Sequence, residues 1–573
     1  GTVIAGPSTF GTLGGFVDAV SLPATGTYTI LVDPQGSASG DATLTLYDVP
    51  ADATATIAPG GPDVTVSTTV PGQNARVTFL GVSGQRVSLV IGGVSMGPST
   101  CCSVKVSILK PNGSLLAGPV SAGTSGGFLD TSTLPTSGTY TIVVDPQGGV
   151  TGDATLTLYD VPADRGGLIL VGGPAVSVGT SVPGQNAALT FSGTAGQRIS
   201  LAIGPTCCST KISILKPNST VLASATFSSF GGFLDATTLP TTGTYTVAID
   251  VQGRVTGDVT VRLHNVPPDA TSTIAFGSST TVTTSVPGQN ATVTFTASAG
   301  QRMSLRIGPT CCSTGISVLK PNSSTLVAPT TIGTNGGFID TTVLPTAGTY
   351  TIVIDLQGAA TGSITLSLFD VPADVSGAIA FGSPTTVTTT VPGQNGAVTF
   401  AGTAGQRVSV RIGPSCCTTK VSILKPDSSV LASVTSFAVL EGFIDTTVLP
   451  VTGTYTLAVD PSGSSVGATT LTLYDVPADV ADTITFGSSR TETLAVPGQN
   501  ARVTFAGTAG QVASLQLTGV TIGNSVLSGT TVSILRPDSR GKRFKIDRVL
   551  GRPDVARDVI EALMLDRGLR RGF

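Results

Sequence analysis

The sequence predicts an all-β chain: a tandem array of antiparallel, jelly-roll-like β-sandwich domains of about 105 residues, followed by a short helical C-terminal tail. Three observations lead there. The tetrapeptide Pro-Gly-Gln-Asn starts at Pro71, Pro183, Pro287, Pro392 and Pro497, at intervals of 112, 104, 105 and 105 residues. Gly-Thr-Tyr-Thr keeps the same beat, with its tyrosine at Tyr28, Tyr140, Tyr245, Tyr350 and Tyr455. Between these markers lie short runs rich in Val, Ile, Thr and Phe with period-two alternation, and no stretch holds a helical period. A period of this length is the size of a domain that can enclose its own core, and too long for a single supersecondary unit.

Residues 270–374 serve as the type unit. Strands are expected at Thr281–Val286, Ala291–Phe295, Met303–Ile307, Ile316–Leu319, Gly337–Asp340, Tyr350–Ile354 and Ile364–Phe369. Turn chemistry separates them. Lys110-Pro111-Asn112-Gly113 places proline where its fixed φ suits a type I turn. Val70-Pro71-Gly72-Gln73 places glycine where a type II turn needs positive φ. The recurring Asp-Val-Pro-Ala-Asp, at Asp48–Asp52, Asp160–Asp164, Asp370–Asp374 and Asp475–Asp479, reads as a stiff linker, and Asn265–Asp269 is its variant. Cutting there gives the second half of a repeat in 1–52, full repeats in 53–164, 165–269, 270–374 and 375–479, the first half of a repeat in 480–539, and a tail in 540–573.

These motifs carry a resemblance. Gln-Asn-Ala-Arg-Val-Thr-Phe, Ala-Gly-Gln-Arg, Ser-Ile-Leu-Lys-Pro-Asn, Leu-Pro-Thr-x-Gly-Thr-Tyr-Thr-Ile and Thr-Leu-Thr-Leu-Tyr-Asp resemble the bacterial pre-peptidase C-terminal domain across residues 1–539. The resemblance implies β-sandwich modules appended to secreted enzymes and large surface proteins. The tandem copies are also similar to stretches of Rhs/YD-repeat proteins, although no YD repeat is present. Some members of the family bind calcium; no matching ligand cluster can be carried over to this sequence.

Composition narrows the function classes. Charged residues make up 11% of the chain and hydrophobic residues 40%, so real cores form under a surface of Ser, Thr, Asn and Gln. The net charge of −3 divides into −8 for residues 1–539 and +5 for 540–573, where ten Lys/Arg meet five Asp/Glu. The repeats therefore offer no basic face to nucleic acid. No apolar run has the length of a membrane span. With one His, three Glu and no Trp in 573 residues, a Ser-His-Asp triad in each repeat is impossible, and no glutamate pair or sugar-stacking tryptophan is available. A non-catalytic role is expected, with no cofactor.

All eight cysteines come as adjacent pairs: Cys101-Cys102, Cys207-Cys208, Cys311-Cys312 and Cys416-Cys417; the fifth copy has Leu527-Ser528 there. A vicinal disulfide in each pair is the favoured reading, against reduced thiols and against bridges to another chain or ligand. It requires a distorted or cis peptide, because trans neighbours are about 3.8 Å apart. Zinc is poorly served by adjacent cysteines. If oxidised, the pairs place the chain outside the cell.

Tyr47, Tyr159, His264, Phe369 and Tyr474 occupy one position, opposite in parity to core residues such as Leu156 and Leu158, and are expected to pack between domains beneath the linker. Aspartates recur at Asp130, Asp145, Asp153, Asp160 and Asp164; turn capping is preferred over a calcium site, since no Asp-x-Asp-x-Asp-Gly loop exists. The phenylalanine of Gly126-Gly127-Phe128 is expected in the core. In the tail, Val555, Val559, Ile560, Leu563 and Met564 share a helical face behind Pro553-Asp554. Together these features describe an extracellular or cell-surface spacer, part of a larger polypeptide. The alternative is an adhesion module that grips cell-surface polysaccharide or protein through several Cys-Cys loops.

Overall fold

A computed structural model describes residues 3–522, apart from 7, 9, 12–13, 35–39, 98–102, 414, 416 and 437–440, together with 531–535. It divides into two compact units, Gly1–Val371 and Pro372–Phe573.

In the first full repeat the apolar alternation becomes nine strands: β1 (Ala53–Thr56), β2 (Val64–Thr68), β3 (Ala75–Gly81), β4 (Arg86–Gly92), β5 (Val104–Leu109), β6 (Leu115–Ala122), β7 (Gly127–Thr133), β8 (Gly138–Pro146) and β9 (Gly152–Asp160). They form a five-stranded sheet in the order β1-β3-β8-β5-β6 and a four-stranded sheet in the order β2-β9-β4-β7. The next three repeats reproduce both orders. Alternate side chains of β3, β8, β4 and β9 point inward, and Val77, Ile142, Leu89, Leu156 and Leu158 are fully buried in one core cluster; each full repeat has its own.

One tyrosine anchors each core. Tyr140, Tyr245, Tyr350 and Tyr455 are fully buried, stacked on Phe79, Phe191, Phe295 and Phe400 of the neighbouring strand. Each hydroxyl donates to a carbonyl four residues upstream: Thr136 at 2.7 Å, Thr241 at 2.7 Å, Thr346 at 2.7 Å and Val451 at 2.8 Å. The repeated Gly-Thr-Tyr-Thr motif is thus a core ring with a satisfied polar tip.

The expected fold class is overturned. The described residues are all-β with no helix, and the tail expected to be helical, 540–573, lies outside them. Nor are the sheets antiparallel throughout: β1 pairs parallel to β3, as do Arg165–Leu168 with Ala187–Gly193, Ala270–Thr273 with Ala291–Ala297, and Val375–Ala378 with Gly396–Gly402. The repeats are also not independent beads. Within each unit they run as a solenoid-like stack of β layers, each docked on the one before. The pre-peptidase-like sandwich description falls with this correction. Period-two alternation and turn spacing report strands and their buried faces. They do not report which strand pairs with which, in what sense, or what covers the outer face.

The two flanking half-repeats are sparse. No strand lies among the described residues of 1–52, where Tyr28 and Tyr47 are exposed. Among the described residues beyond 479 there is one parallel pair, Val480–Thr483 with Ala501–Thr504. No helix among the described residues is long and apolar enough to cross a membrane.

Candidate functional site at the joint between repeats

Three motifs that recur in the sequence meet at one place. The Pro-Gly-Gln-Asn turn of one repeat sits on the outer face of the four-stranded sheet of the repeat before it. Ser88 Oγ donates to the Pro183 carbonyl, Ser200 Oγ to that of Pro287 and Ser409 Oγ to that of Pro497, each at 2.6 Å. In the first of these joints Thr131 Oγ1 adds a bond to the Gly184 carbonyl at 2.6 Å. The turn glycine is required twice over. Gly184 has φ +84°, and a Cβ there would lie 2.4 Å from Thr131 Oγ1 and 3.0 Å from Ser88 Cβ.

The turn glutamine faces the other way and holds the linker. Gln185 Oε1 accepts from Ser181 N at 2.9 Å, and its Nε2 donates to the Ala163 carbonyl at 2.8 Å. Gln73, Gln289, Gln394 and Gln499 make the equivalent pair of bonds. A buried amide with both ends satisfied fixes backbone that would otherwise be free to swing.

The Gly-Gln-Arg motif completes the clamp from the preceding repeat. Its glutamine reaches the first linker residue: Gln85 to Asp160, Gln301 to Asp370 and Gln406 to Asp475 at 3.0 Å, and Gln197 to Asn265 at 2.9 Å. Its arginine reaches the last: Arg86 to Asp164 and Arg198 to Asp269 at 2.7 Å, and Arg407 to Asp479 at 2.5 Å. Arg86 and Arg198 also donate to the carbonyls of Pro162 and Pro267 at 3.3 Å. Hydrogen bonds to Arg407 and then Arg502 hold the Asp479 carboxyl below the usual aspartate range.

Tyr159, His264 and Tyr474 lie directly across from the docking serines Ser88, Ser200 and Ser409; Phe369 lies across from Ser304. Tyr159, Phe369 and Tyr474 are half-buried, His264 is buried and Tyr47 is exposed. Burial, followed by the charge of Arg262, pushes the His264 pKa down.

Of the recurring aspartates, Asp160 and Asp164 serve the clamp, Asp130 accepts from Thr131 N at 2.6 Å, and Asp153 accepts from Ser67. Asp145 is different: its Oδ1 is buried with no donor. No group of three or more His, Cys, Asp or Glu among the described residues is placed to hold a metal ion. A shallow depression of about 300 Å³ in the second unit is lined by Asp374, Asn395, Lys420 and Asp460.

The cysteine loops lie apart from the clamp. Cys207 and Cys208 are joined, with Cα atoms 3.8 Å apart, the trans spacing rather than a shortened one. Cys311 and Cys312 are thiols whose sulfurs lie 2.8 Å apart, and Cys417 is disulfide-bonded. Cys101, Cys102 and Cys416 lie outside the described residues. Burial first, then Cys311, pushes the Cys312 thiol up to about 11, which makes it a poor nucleophile. Flanking hydroxyls hold the second cysteine's carbonyl: Thr206 at 2.6 Å and Thr210 at 3.2 Å on Cys208, Thr310 at 2.7 Å and Thr314 at 3.1 Å on Cys312. Cys207 covers Gly257, where a Cβ would sit 2.6 Å from its own.

Phe128, expected in the core, faces outward. It pairs with Val90 and is half-buried, as are Phe233 and Phe338, while Phe443 is 39% exposed; the neighbouring Leu129 takes the inward position. The joint itself was missed at the level of sequence, although its signal was present. Gln-Arg, Asp-Val-Pro-Ala-Asp and Pro-Gly-Gln-Asn recur together, and Val512 replaces the arginine in the last, partial copy.

No family model and no curated protein matches this chain. Among solved structures, it is similar to the M60 catalytic domain with the CBM51-1 and CBM51-2 domains from Clostridium perfringens ZmpB: 7% identity, TM-score 0.13, 52% of this chain and 34% of that one. The present chain thus spans about a third of that protein's length. A BSP domain of a biofilm-associated protein matches at 11% identity and TM-score 0.11, over 68% of this chain and 94% of that one. A triple jelly roll turret protein of an archaeal virus matches at 13% identity and TM-score 0.12, over 53% and 88%. Scores this low transfer neither fold nor function.

Proposed function

We propose that this chain is a non-catalytic spacer, a stiff stretch of a large secreted or cell-surface bacterial protein. One observation carries the reading. The polar residues that recur from copy to copy (the Gln-Arg pair, the linker acids, the docking serine and the turn glutamine) are spent on holding one repeat against the next. A ligand site repeated for avidity would instead keep an exposed patch free of such internal bonds. Rigid joints let a chain set a distance, which is what a stalk does for the part it carries.

Single-molecule FRET on the full chain, with dyes in the repeats 165–269 and 270–374, tests this. A narrow distance distribution that broadens in the double variant Arg198→Ala, Ser200→Ala is expected. A broad distribution in the unmodified chain would overturn the spacer.

A second reading has its own observation. Phe230 is 90% exposed, in the turn whose Ser229 carbonyl accepts from Thr206 N at 3.0 Å beside Cys207–Cys208. An aromatic ring next to a rigid loop suits adhesion to polysaccharide or protein. Glycan-array binding by the full chain, abolished by Phe230→Ala or by Cys207→Ser with Cys208→Ser, would favour that reading.

A further inference from the structure

Within the first unit, three successive joints share one buried arrangement. Asp145, Asp250 and Asp355 lie near the ends of β8 and its counterparts Gly243–Val251 and Gly348–Leu356. In each, Oδ1 is shut from solvent without a hydrogen-bond donor. The asparagine that closes the Pro-Gly-Gln-Asn turn supplies a second acceptor of this kind in two of the three repeats, Asn186 Oδ1 and Asn290 Oδ1. Unsatisfied buried acceptors are uncommon and costly, about 1–3 kcal/mol each, so their return at the same place in copy after copy needs a cause.

The neighbours supply it. Each aspartate feels the charge of an acid of the preceding repeat, Asp145 that of Asp18, Asp250 that of Asp130 and Asp355 that of Asp235; Asp130 and Asp235 border the docked turn, 3.2 and 3.3 Å from where a Cβ on Gly184 or Gly288 would stand. The charges of the linker acids Asp164 and Asp269 also reach Asp250 and Asp355, and each is itself paired, with Arg86 and Arg198. One basic group opposes them in two joints, Lys105 at Asp145 and Lys211 at Asp250; the third has Gly315 in that position. Gln147, Gln252 and Gln357 are the nearby donors, and Asn290 bonds Asp355. At every one of these joints a carboxylate with a buried oxygen therefore feels the charge of an acid in the repeat before it, with at most one lysine beside it.

We propose that these joints are proton-responsive: a proton taken up by these aspartates tightens the contact between consecutive repeats, and its loss loosens it. A proton on Asp250 or Asp355 removes one of two like charges and turns a donorless acceptor into a hydroxyl that can donate to the acid or amide beside it. Burial first, and then the acid of the preceding repeat, raises the pKa of Asp145, Asp250 and Asp355 above the ordinary 3.8. The sign follows. A group that binds its proton more tightly when docked stabilises docking fully below 3.8, and that stability is lost as pH rises through the docked value.

The test is hydrogen exchange by mass spectrometry on the full chain, corrected for intrinsic exchange rates, from pH 7 to about pH 4.5. Backbone amides around residues 145, 250 and 355 should gain protection steadily as the pH falls, towards a limit of about tenfold for each unit by which the docked pKa exceeds the free one. The triple variant Asp145→Asn, Asp250→Asn, Asp355→Asn should hold the protected level at pH 7 and lose the pH dependence. Asp355→Asn alone should do so at its own joint, and circular dichroism verifies that the variants fold. Asp63→Asn, at an exposed acid outside the joints, should keep the wild-type profile. An unchanged pH profile in the triple variant would overturn the proposal, and so would pH-independent protection in the wild type. So, too, would protection at pH 7 that responds to calcium and not to protons.

Discussion

The Ser200 hydroxyl donates to the Pro287 carbonyl at 2.6 Å, a bond that leaves one repeat and ends in the next. Beside it, Gly288 is in the left-handed region at φ +83°, and a Cβ there would stand 2.9 Å from Ser200 Cβ. A serine on one sheet and a glycine in the following turn thus form a single contact, close enough that neither position tolerates bulk.

Gly288→Ala should therefore open the joint by a steric route and Ser200→Ala by an electronic one. The first combines backbone strain of roughly 1–2 kcal/mol with the clash. The second leaves the Pro287 carbonyl without its donor, at about 1 kcal/mol. Hydrogen exchange should report faster opening at residues 285–291 in both variants, while the amides of Ala291–Ala297 keep their protection.

Arg198 holds Asp269 and the Pro267 carbonyl, and its side chain is 27% exposed. Exposed ion pairs are weak, so most of the effect should come from the lost carbonyl bond and packing. Arg198→Ala is expected to destabilise the joint by about 1–2 kcal/mol. Arg198→Lys should recover only part of this, because a single ammonium does not reproduce the guanidinium fork. Limited proteolysis at residues 265–270 gives the readout: cleavage fastest in the alanine variant, slowest in the wild type.

Tyr245→Phe preserves the stacked ring on Phe191 and removes only the hydroxyl that bonds Thr241. The carbonyl left behind is part-buried, so a loss of about 1–3 kcal/mol is expected, confined to the repeat 165–269. Urea unfolding followed by hydrogen exchange distinguishes that repeat from its neighbours. A loss spread evenly over all four would contradict a core private to each repeat.

His264 carries a pH dependence of opposite sign to the joint aspartates. Burial depresses its pKa below the ordinary 6.5, so its neutral form is the one that fits. Its contribution is present above 6.5 and is lost as pH falls towards the depressed value. His264→Tyr, the residue of most other copies, should remove this local acid sensitivity, measured as exchange at Gly257–Asn265 between pH 7 and about pH 5.

Cys207→Ser with Cys208→Ser should leave the fold intact, because the Thr206 and Thr210 hydroxyls, and not the sulfurs, hold the loop through the Cys208 carbonyl. Gly257→Val should be far more damaging, since its branched side chain would occupy the space of Cys207. Thermal unfolding of the two variants ranks them.

Much of this molecule was legible before any coordinates. The strand Tyr350–Ile354 lies inside Gly348–Leu356, and Ile316–Leu319 inside Thr314–Leu319, because alternation of apolar residues is a local consequence of burying one face. Phe128 shows where such reading stops. An aromatic in a strand is equally at home inside the core or outside against a neighbour, and the alternation around Gly-Gly-Phe is too short to choose. The joint was hidden for a related reason. Gln85 and Asp160 are 75 residues apart, and nothing local tells a glutamine that its amide will meet that carboxylate.

The amino-acid sequence on its own determined the repeat length, seven of the nine strands of the repeat 270–374 and the turns between them, since each follows from the chemistry of residues adjacent in the chain. Tertiary structure alone decided the parallel edge pairing, the outward Phe128, and the meeting of Gln-Arg, linker and turn at one joint. Those depend on which distant surfaces come together, and a pattern that repeats every 105 residues is satisfied by more than one way of stacking its copies.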